Sequence, residues 1–310
     1  MKHITQLFLL LAATASLLLP RTGHAQATAY VIADSTTGFI LESSGGAKKL
    51  QIASLTKIAT AMVVLDWSQA KGHDLSQLAT VPDSAAQLTT PGGVGFRPGD
   101  RCSLRDLLYA ALMQSDNQAA ETLADHVGRS LGGEAPVGSF VAQMNALARR
   151  LGMARTRFLN PHGLDSLERS APYSTAEDLA RLTTYAMADS AFRFHVSQKE
   201  RRISLTAATG ETTAYLLRNT NELLGVNAID GVKTGTTRKA GQCLIVSAAR
   251  PPESVEKEGK VFVTPRRINV VVLGAGDRFN FTATLLQRGW QHYDSWAEAG
   301  RPMKGWKPSR

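Results

Sequence analysis

At 310 residues, with 43% hydrophobic and 20% charged residues, the chain is long enough to bury a full core, which excludes disorder as the state of its body. The formal charge is +9, but Lys and Arg are scattered rather than gathered in a stripe, so no nucleic-acid partner is expected. Two cysteines, Cys102 and Cys243, are too few for a disulfide framework and lack CxxC or metal-type spacing, so no metal site is expected.

The first residues read as a secretory leader. Lys2 supplies a positive start, and residues 7–19 form an apolar run too short to span a bilayer comfortably. Gly23-His24-Ala25-Gln26-Ala27 then offers small-x-small cleavage sites after Ala25 or Ala27. This predicts a signal peptide over residues 1–25 and an exported, periplasmic or secreted mature chain. A basic surface would favour work near an anionic cell wall.

Residues 27–34 and 38–41 are β-rich and separated by Ser-Thr-Thr-Gly, a hairpin signal. Residues 54–66 follow as a helix, with Ile58, Met62 and Leu65 on one stripe and Ala59, Ala61 and Val63 filling in. Such near-continuous apolarity predicts a helix in the middle of the fold. From about residue 74 to 220 the pattern turns helical, with helices over 104–113, 118–127, 141–151 and 176–187. Gly92-Gly93, Pro98-Gly99, Gly132-Gly133 and Asn160-Pro161-His162-Gly163 punctuate these as loops. Strands return over 228–236, 242–248 and 268–273, with an exposed loop over 250–260 and a closing helix over 280–293. First and last segments are therefore expected to meet in one sheet, with the helical block beside it. Cys243 lies in an apolar run and reads as a small core residue. The tail, residues 296–310, is basic and carries Pro302 and Pro308, which argues against an amphipathic membrane anchor.

Three short motifs carry chemistry. In Ser54-Leu55-Thr56-Lys57 the i, i+3 spacing puts a lysine amine one helical turn from a serine hydroxyl. A desolvated lysine can then take the hydroxyl proton and make the serine a nucleophile. Alone, the pattern equally describes an N-cap serine followed by a surface lysine. Ser115-Asp116-Asn117 lies between two predicted helices. Its serine could relay protons and its asparagine could hold a substrate carbonyl; the plain alternative is a residue capping the next helix. Lys233-Thr234-Gly235, followed by Thr236, sits on a returning strand. There a charge, a hydroxyl and an open backbone could meet a carboxylate.

The order of the three motifs, nucleophile on a buried helix, relay in an insertion and anion motif on a strand, resembles the penicillin-binding proteins and class A β-lactamases. Phe96-Arg97-Pro98-Gly99-Asp100, Leu107-Leu108-Tyr109-Ala110, Asn160-Pro161-His162-Gly163-Leu164 and Ala240-Gly241-Gln242-Cys243 narrow the likeness. Together they resemble the low-molecular-mass penicillin-binding D-alanyl-D-alanine carboxypeptidases over about residues 27–295.

That resemblance implies an α/β fold of the β-lactamase/DD-peptidase type. Its antiparallel five-stranded sheet would be flanked by helices, with an all-helical subdomain at about 74–220 inserted in one catalytic domain, residues 26–295. It implies Ser54 as nucleophile, Lys57 as base, Ser115 and Lys233 in proton delivery, Asn117 on the peptide stem, and Lys233 with Thr234 on the terminal carboxylate. Gly235 would let the ligand approach the strand, and the N–H groups of Ser54 and Thr236 would hold the oxyanion. No cofactor is implied. The partners implied are a peptidoglycan pentapeptide ending in D-Ala-D-Ala and β-lactams as covalent inhibitors. Many relatives add a C-terminal β-rich domain and anchor; with about fifteen residues after the closing helix, neither is expected.

Asp116 departs from the glycine that many such carboxypeptidases carry, and matches the β-lactamases instead. Those enzymes place a glutamate four residues before an asparagine after the relay motif. None of Glu121, Glu134, Glu168, Glu177, Glu200, Glu211 or Glu222 stands so, and penicillin should therefore leave Ser54 slowly. A D,D-endopeptidase using the same residues is the alternative, ahead of a β-lactamase or a non-catalytic penicillin-binding sensor. No Gly-x-Ser-x-Gly elbow surrounds Ser54, so His126, His162 and His195 read as structural, and His162 as loop geometry.

Overall fold

The computed structural model describes residues 27–132, 134–165 and 172–305; the expected leader and the last tail residues lie outside these. Strands β1 (Ala29–Asp34) and β2 (Ile40–Ser44) form the expected hairpin, turning at Gly38 with φ +73°. The chain returns late as β7 (Ile229–Thr237), β8 (Gly241–Lys257) and β9 (Lys260–Ala275). All pairings are antiparallel, in the order β2-β1-β9-β8-β7, so first and last segments share one five-stranded sheet.

Both faces of this sheet are covered, which is why β9 reads as an almost unbroken apolar run. Ile268, Val270 and Val272 pack with Ile32, Leu244 and Val246 against α7 (Arg278–Glu298) through Leu285, Leu286, Trp290, Tyr293 and Trp296. The alternate positions Val271 and Leu273, with Val31, Ala33 and Ile245, face the other way. There they join α1 (Thr56–Lys71), whose Ile58, Ala59, Ala61, Met62, Val64 and Leu65 are all buried. The central helix is thus buried all round, as its composition requires.

The insertion holds α2 (Leu104–Met113), α3 (Asn117–Leu131), α4 (Pro136–Arg150), α5 (Ala176–Ala188) and α6 (Ser190–Val196). It is not all-helical. β3 (Leu78–Thr80), β4 (Arg101–Ser103), β5 (Glu200–Thr206) and β6 (Thr212–Arg218) make a second antiparallel sheet in the order β3-β4-β5-β6. β3 and β4 have three residues each, too few to display a period of two, and β6 is largely exposed.

Residues 250–260 are exposed but form no loop. β8 and β9 continue as a two-stranded ribbon to a turn at Glu258 and Gly259, whose φ angles are +53° and +68°. Pro251 and Pro252 fall where the register breaks between Arg250 and Glu253, so their missing N–H groups cost no ladder bond. Helix α7 runs five residues past its expected end, and the tail folds back: Trp296 Nε1 donates to Pro302 O at 3.0 Å and Arg301 to Glu253 at 2.6 Å. Among the described residues no helix is long and apolar enough to cross a membrane.

Candidate active site

Ser54 lies in a short 3-10 turn, Ala53–Leu55, that leads directly into α1. One turn on, Lys57 is fully buried. Its Nζ lies 2.9 Å from Ser54 Oγ, 2.7 Å from Asn117 Oδ1 and 2.8 Å from the carbonyl oxygen of His162. Two of these oxygens can only accept a hydrogen bond, whereas the serine hydroxyl can also donate. A neutral amine would spend its two N–H groups on Asn117 and His162 and turn its lone pair toward Ser54. Burial pushes the Lys57 amine down to about 7, against the opposing charge of Asp116.

The second motif forms the turn between α2 and α3. Ser115, half-buried, takes a left-handed φ of +63°. Such strain in a non-glycine residue persists only where the surroundings enforce it. Asp116 caps α3, its Oδ1 accepting from Ala119 N at 2.8 Å, so the helix-cap alternative holds for this residue. Its Oδ2 accepts from Val94 N at 2.9 Å. Asn117 has three bonds: beyond that to Lys57, its Nδ2 donates to Thr89 O at 3.2 Å and its N–H to Thr90 Oγ1 at 2.9 Å. These bonds use one of its two side-chain N–H groups.

Strand β7 brings the third motif. A Cβ on Gly235 would lie 3.1 Å from both Ile52 O and Ser54 N; glycine lets this strand run against the turn that holds Ser54. Lys233 is buried, its Nζ donating to Thr234 O at 3.0 Å. Burial, then the charges of Lys57 and Arg278, hold its amine well below the usual lysine range. Thr234 Oγ1 shares a 2.6 Å hydrogen bond with Thr220 Oγ1, itself tied to Met113 O at the end of α2. Thr236 is exposed, and its Oγ1 accepts from Arg278 Nη1 at 2.7 Å; the same nitrogen donates to Gly235 O at 3.2 Å.

A fourth element is the Asn160-Pro161-His162-Gly163 loop. Pro161 O accepts from Thr60 Oγ1 at 2.6 Å, and Asn160 Oδ1 accepts from Gly163 N at 2.6 Å. Gly163 has φ +83°, and a Cβ there would lie 2.0 Å from Ala53 O. This loop is therefore moulded against Ala53, the residue before Ser54.

A family model described as D-alanyl-D-alanine carboxypeptidase matches residues 16–256. The chain belongs to that family. It is 32% identical over 277 residues to Escherichia coli D-alanyl-D-alanine carboxypeptidase DacC, covering 87% of this chain and 62% of that one. To a Pseudomonas aeruginosa D-alanyl-D-alanine endopeptidase it is 33% identical, covering 87% and 77%. Among solved structures it is similar to the Streptomyces K15 DD-transpeptidase, with TM-score 0.72, 27% identity and 86% and 97% of the two chains covered. Penicillin-binding protein D2 from Listeria monocytogenes in its ampicillin-bound form gives TM-score 0.66 and 28% identity, covering 86% of this chain and 98% of that one.

Within this family frame, two contributors escaped the sequence reading. His162 matters through its backbone oxygen, not its ring; a carbonyl leaves no signature in residue type. Its ring is buried and held down to about 3 by burial and the Lys57 charge, with Nδ1 accepting from Leu164 N at 3.1 Å. His195 bonds Ala191 O and His126 packs edge-on to Trp67. The other contributor is Arg278, the first residue of α7, for which a lone arginine after Gly276-Asp277 gives no usable local signal.

Gly163→Ala is expected to slow β-lactam labelling of the protein by about 100-fold, because relieving the 2.0 Å contact moves Ala53 and with it Ser54. Stopped-flow acylation rates on protein of unchanged circular dichroism check this; a loss below threefold would sink it.

Proposed function

We propose that this chain is a serine-type D-alanyl-D-alanine carboxypeptidase, removing the terminal D-alanine from peptidoglycan stem peptides through an acyl-enzyme on Ser54. The observation that carries this reading is the Lys57 amine, buried and 2.7–2.9 Å from three oxygens, of which only that of Ser54 has a proton to give. As Ser54 Oγ bonds to the carbonyl carbon of the scissile peptide bond, its proton passes to Lys57. The backbone N–H groups of Ser54 and Thr236 receive the oxyanion. The C–N bond breaks when the leaving nitrogen takes a proton, delivered from Lys57 through Ser115 with Lys233 assisting. Water then attacks the ester, losing its proton to Lys57, and Ser54 is restored.

The end of β7 supports the choice of substrate. Lys233 and Arg278 both lie there; burial lowers both, and repulsion from Lys57 and Arg278 lowers Lys233 further. A substrate carboxylate would relieve that repulsion, with Thr234 and Thr236 beside it and Gly235 leaving room. Asn117 would hold the stem with its free amide N–H. β-Lactams are expected to acylate Ser54, as the ampicillin-bound form of a structural relative suggests, and to leave slowly. We further place the catalytic domain at residues 26–295, behind an export leader at residues 1–25, for work in the periplasm or outside the cell.

Endopeptidase activity on crosslinked peptides is the second reading, favoured by the 33% identity to a relative named as such. Product analysis separates the two. Carboxypeptidase action on diacetyl-Lys-D-Ala-D-Ala and on purified peptidoglycan should release free D-alanine, and amidating the terminal carboxylate should reduce the rate by at least about 100-fold. Shortened dimers without D-alanine would replace this assignment with the endopeptidase.

A further inference from the structure

The middle residue of the Ser115-Asp116-Asn117 turn is tied into the site from two sides. Asp116 is buried, 1% exposed, and both its carboxylate oxygens accept backbone N–H groups from different segments. Oδ1 takes Ala119 N in α3; Oδ2 takes Val94 N in the 89–94 segment. That segment lies so close that a Cβ on Gly93 would stand 2.7 Å from Oδ2. The neighbouring residue doubles the attachment, since Asn117 bonds Thr90 through its N–H and Thr89 through its side chain. The far side of the segment is held by Tyr215, whose hydroxyl donates to Gly93 O at 3.2 Å, and by Gln114, which donates to Gly92 O.

N–H groups donated to both carboxylate oxygens favour the ionised form of Asp116. Burial holds the carboxyl above the usual range, while the N–H groups of Ala119 and Val94 and the charge of Lys57 pull it back. Asp116 stands directly before Asn117, whose Oδ1 lies 2.7 Å from Lys57 Nζ, so the α2–α3 turn brings its carboxylate to the amine; Lys233 from β7 and His162, whose carbonyl oxygen is 2.8 Å from the same nitrogen, are the other groups there. Asp116 is the negative charge in that set. Glycine at this position would supply neither the charge nor the tether.

Resting on the reading of Ser54 and Lys57 as nucleophile and base, we propose that Asp116 is a positioning residue with two tasks. It pins the 89–94 segment to the catalytic turn, and its charge sets the pH at which Lys57 becomes a competent base. A nearby carboxylate favours the ammonium form, so removing it makes Lys57 lose its proton at lower pH.

The test measures acylation of Ser54 by a fluorescent penicillin from pH 5 to 9, with amide hydrogen exchange at Val94, on wild type, Asp116→Asn and Thr90→Val. Asp116→Asn keeps the shape but has one side-chain acceptor instead of two and no charge. Its acid limb is expected to move down by about one pH unit, with exchange at Val94 at least about tenfold faster. Thr90→Val cuts the second tether and leaves the charge, so its segment should exchange faster while the limb stays in place. The position of a limb does not depend on the fraction of protein that is folded, so partial unfolding of a variant leaves the test intact. An Asp116→Asn limb that overlays wild type or moves up overturns the proposal, as does a Thr90→Val limb that moves with it. Failure of the underlying reading looks different: wild type itself would carry no adduct on Ser54.

Discussion

Ser54→Ala is expected to abolish D-alanine release and β-lactam labelling together, by at least about 10⁴-fold, since removing a covalent nucleophile removes the acyl-enzyme path altogether. Its fold should survive. The serine makes no helix-capping hydrogen bond in its 3-10 turn, and its hydroxyl is joined to Lys57. When that hydroxyl is lost, a neutral Lys57 still has Asn117 Oδ1 at 2.7 Å and His162 O at 2.8 Å for its two N–H groups. The buried amine therefore stays satisfied, and stability should change by less than about 1 kcal/mol. Intact mass after penicillin treatment, with a thermal melt alongside, gives both readouts. An adduct persisting at another serine would remove Ser54 from its role; a collapsed melt would make it a structural residue instead.

How far the sequence announces all this depends on what kind of signal each part leaves. The central sheet was legible because β1, β7, β8 and β9 are buried on both sides, so their apolar runs are long and bounded. α2 was legible to the residue, since its buried stripe begins just after Ser103, whose hydroxyl accepts from Asp106 N at 3.0 Å. The second sheet was not, because its strands are short or half-solvated and the pairing that joins its two halves, Cys102 with Leu205, spans about a hundred residues. The ribbon beyond Arg250 misled for a related reason: prolines and charges mark a loop by composition, yet the strand pair tolerates both once the register breaks there.

The site divides along the same line. Ser54, Lys57, Asn117, Lys233 and Gly235 were visible because each puts a distinctive side chain, or its absence, at a fixed spacing. What remained hidden works through backbone or through distance. The carbonyl of His162 and the tight Gly163 contact have no counterpart in residue chemistry, and Arg278 reaches Thr236 from 42 residues away. Asp116 shows the opposite case. Helix cap and member of a catalytic motif are rivals on sequence alone, yet the carboxylate caps α3 while standing beside Lys57's partner Asn117.

Lys57→Met is expected to cut the rate of Ser54 acylation by about 10²- to 10⁴-fold, the span over which a general base contributes. Lys57→Arg should fare no better, because a guanidinium keeps its proton throughout the working range. In wild type the competent species is the neutral amine, so acylation should rise with pH through a limb near 7, where burial has pushed this lysine. The same shift has a thermodynamic consequence with a definite sign. In the unfolded chain the lysine holds its proton up to about pH 10.4, whereas in the fold it has released it by about 7. Between these values the unfolded state binds more protons, so this lysine's contribution to stability improves as pH rises, and it is least favourable below 7. Wild type should therefore gain on Lys57→Met by about 2–3 kcal/mol between pH 7.5 and 9.5, at about 1.4 kcal/mol per pH unit. Urea unfolding of the two proteins at both pH values measures the difference, and common changes elsewhere in the chain cancel. A stability gap that ignores pH, or acylation flat from pH 5 to 9, would show that Lys57 does not titrate in this window and that the proton of Ser54 goes elsewhere.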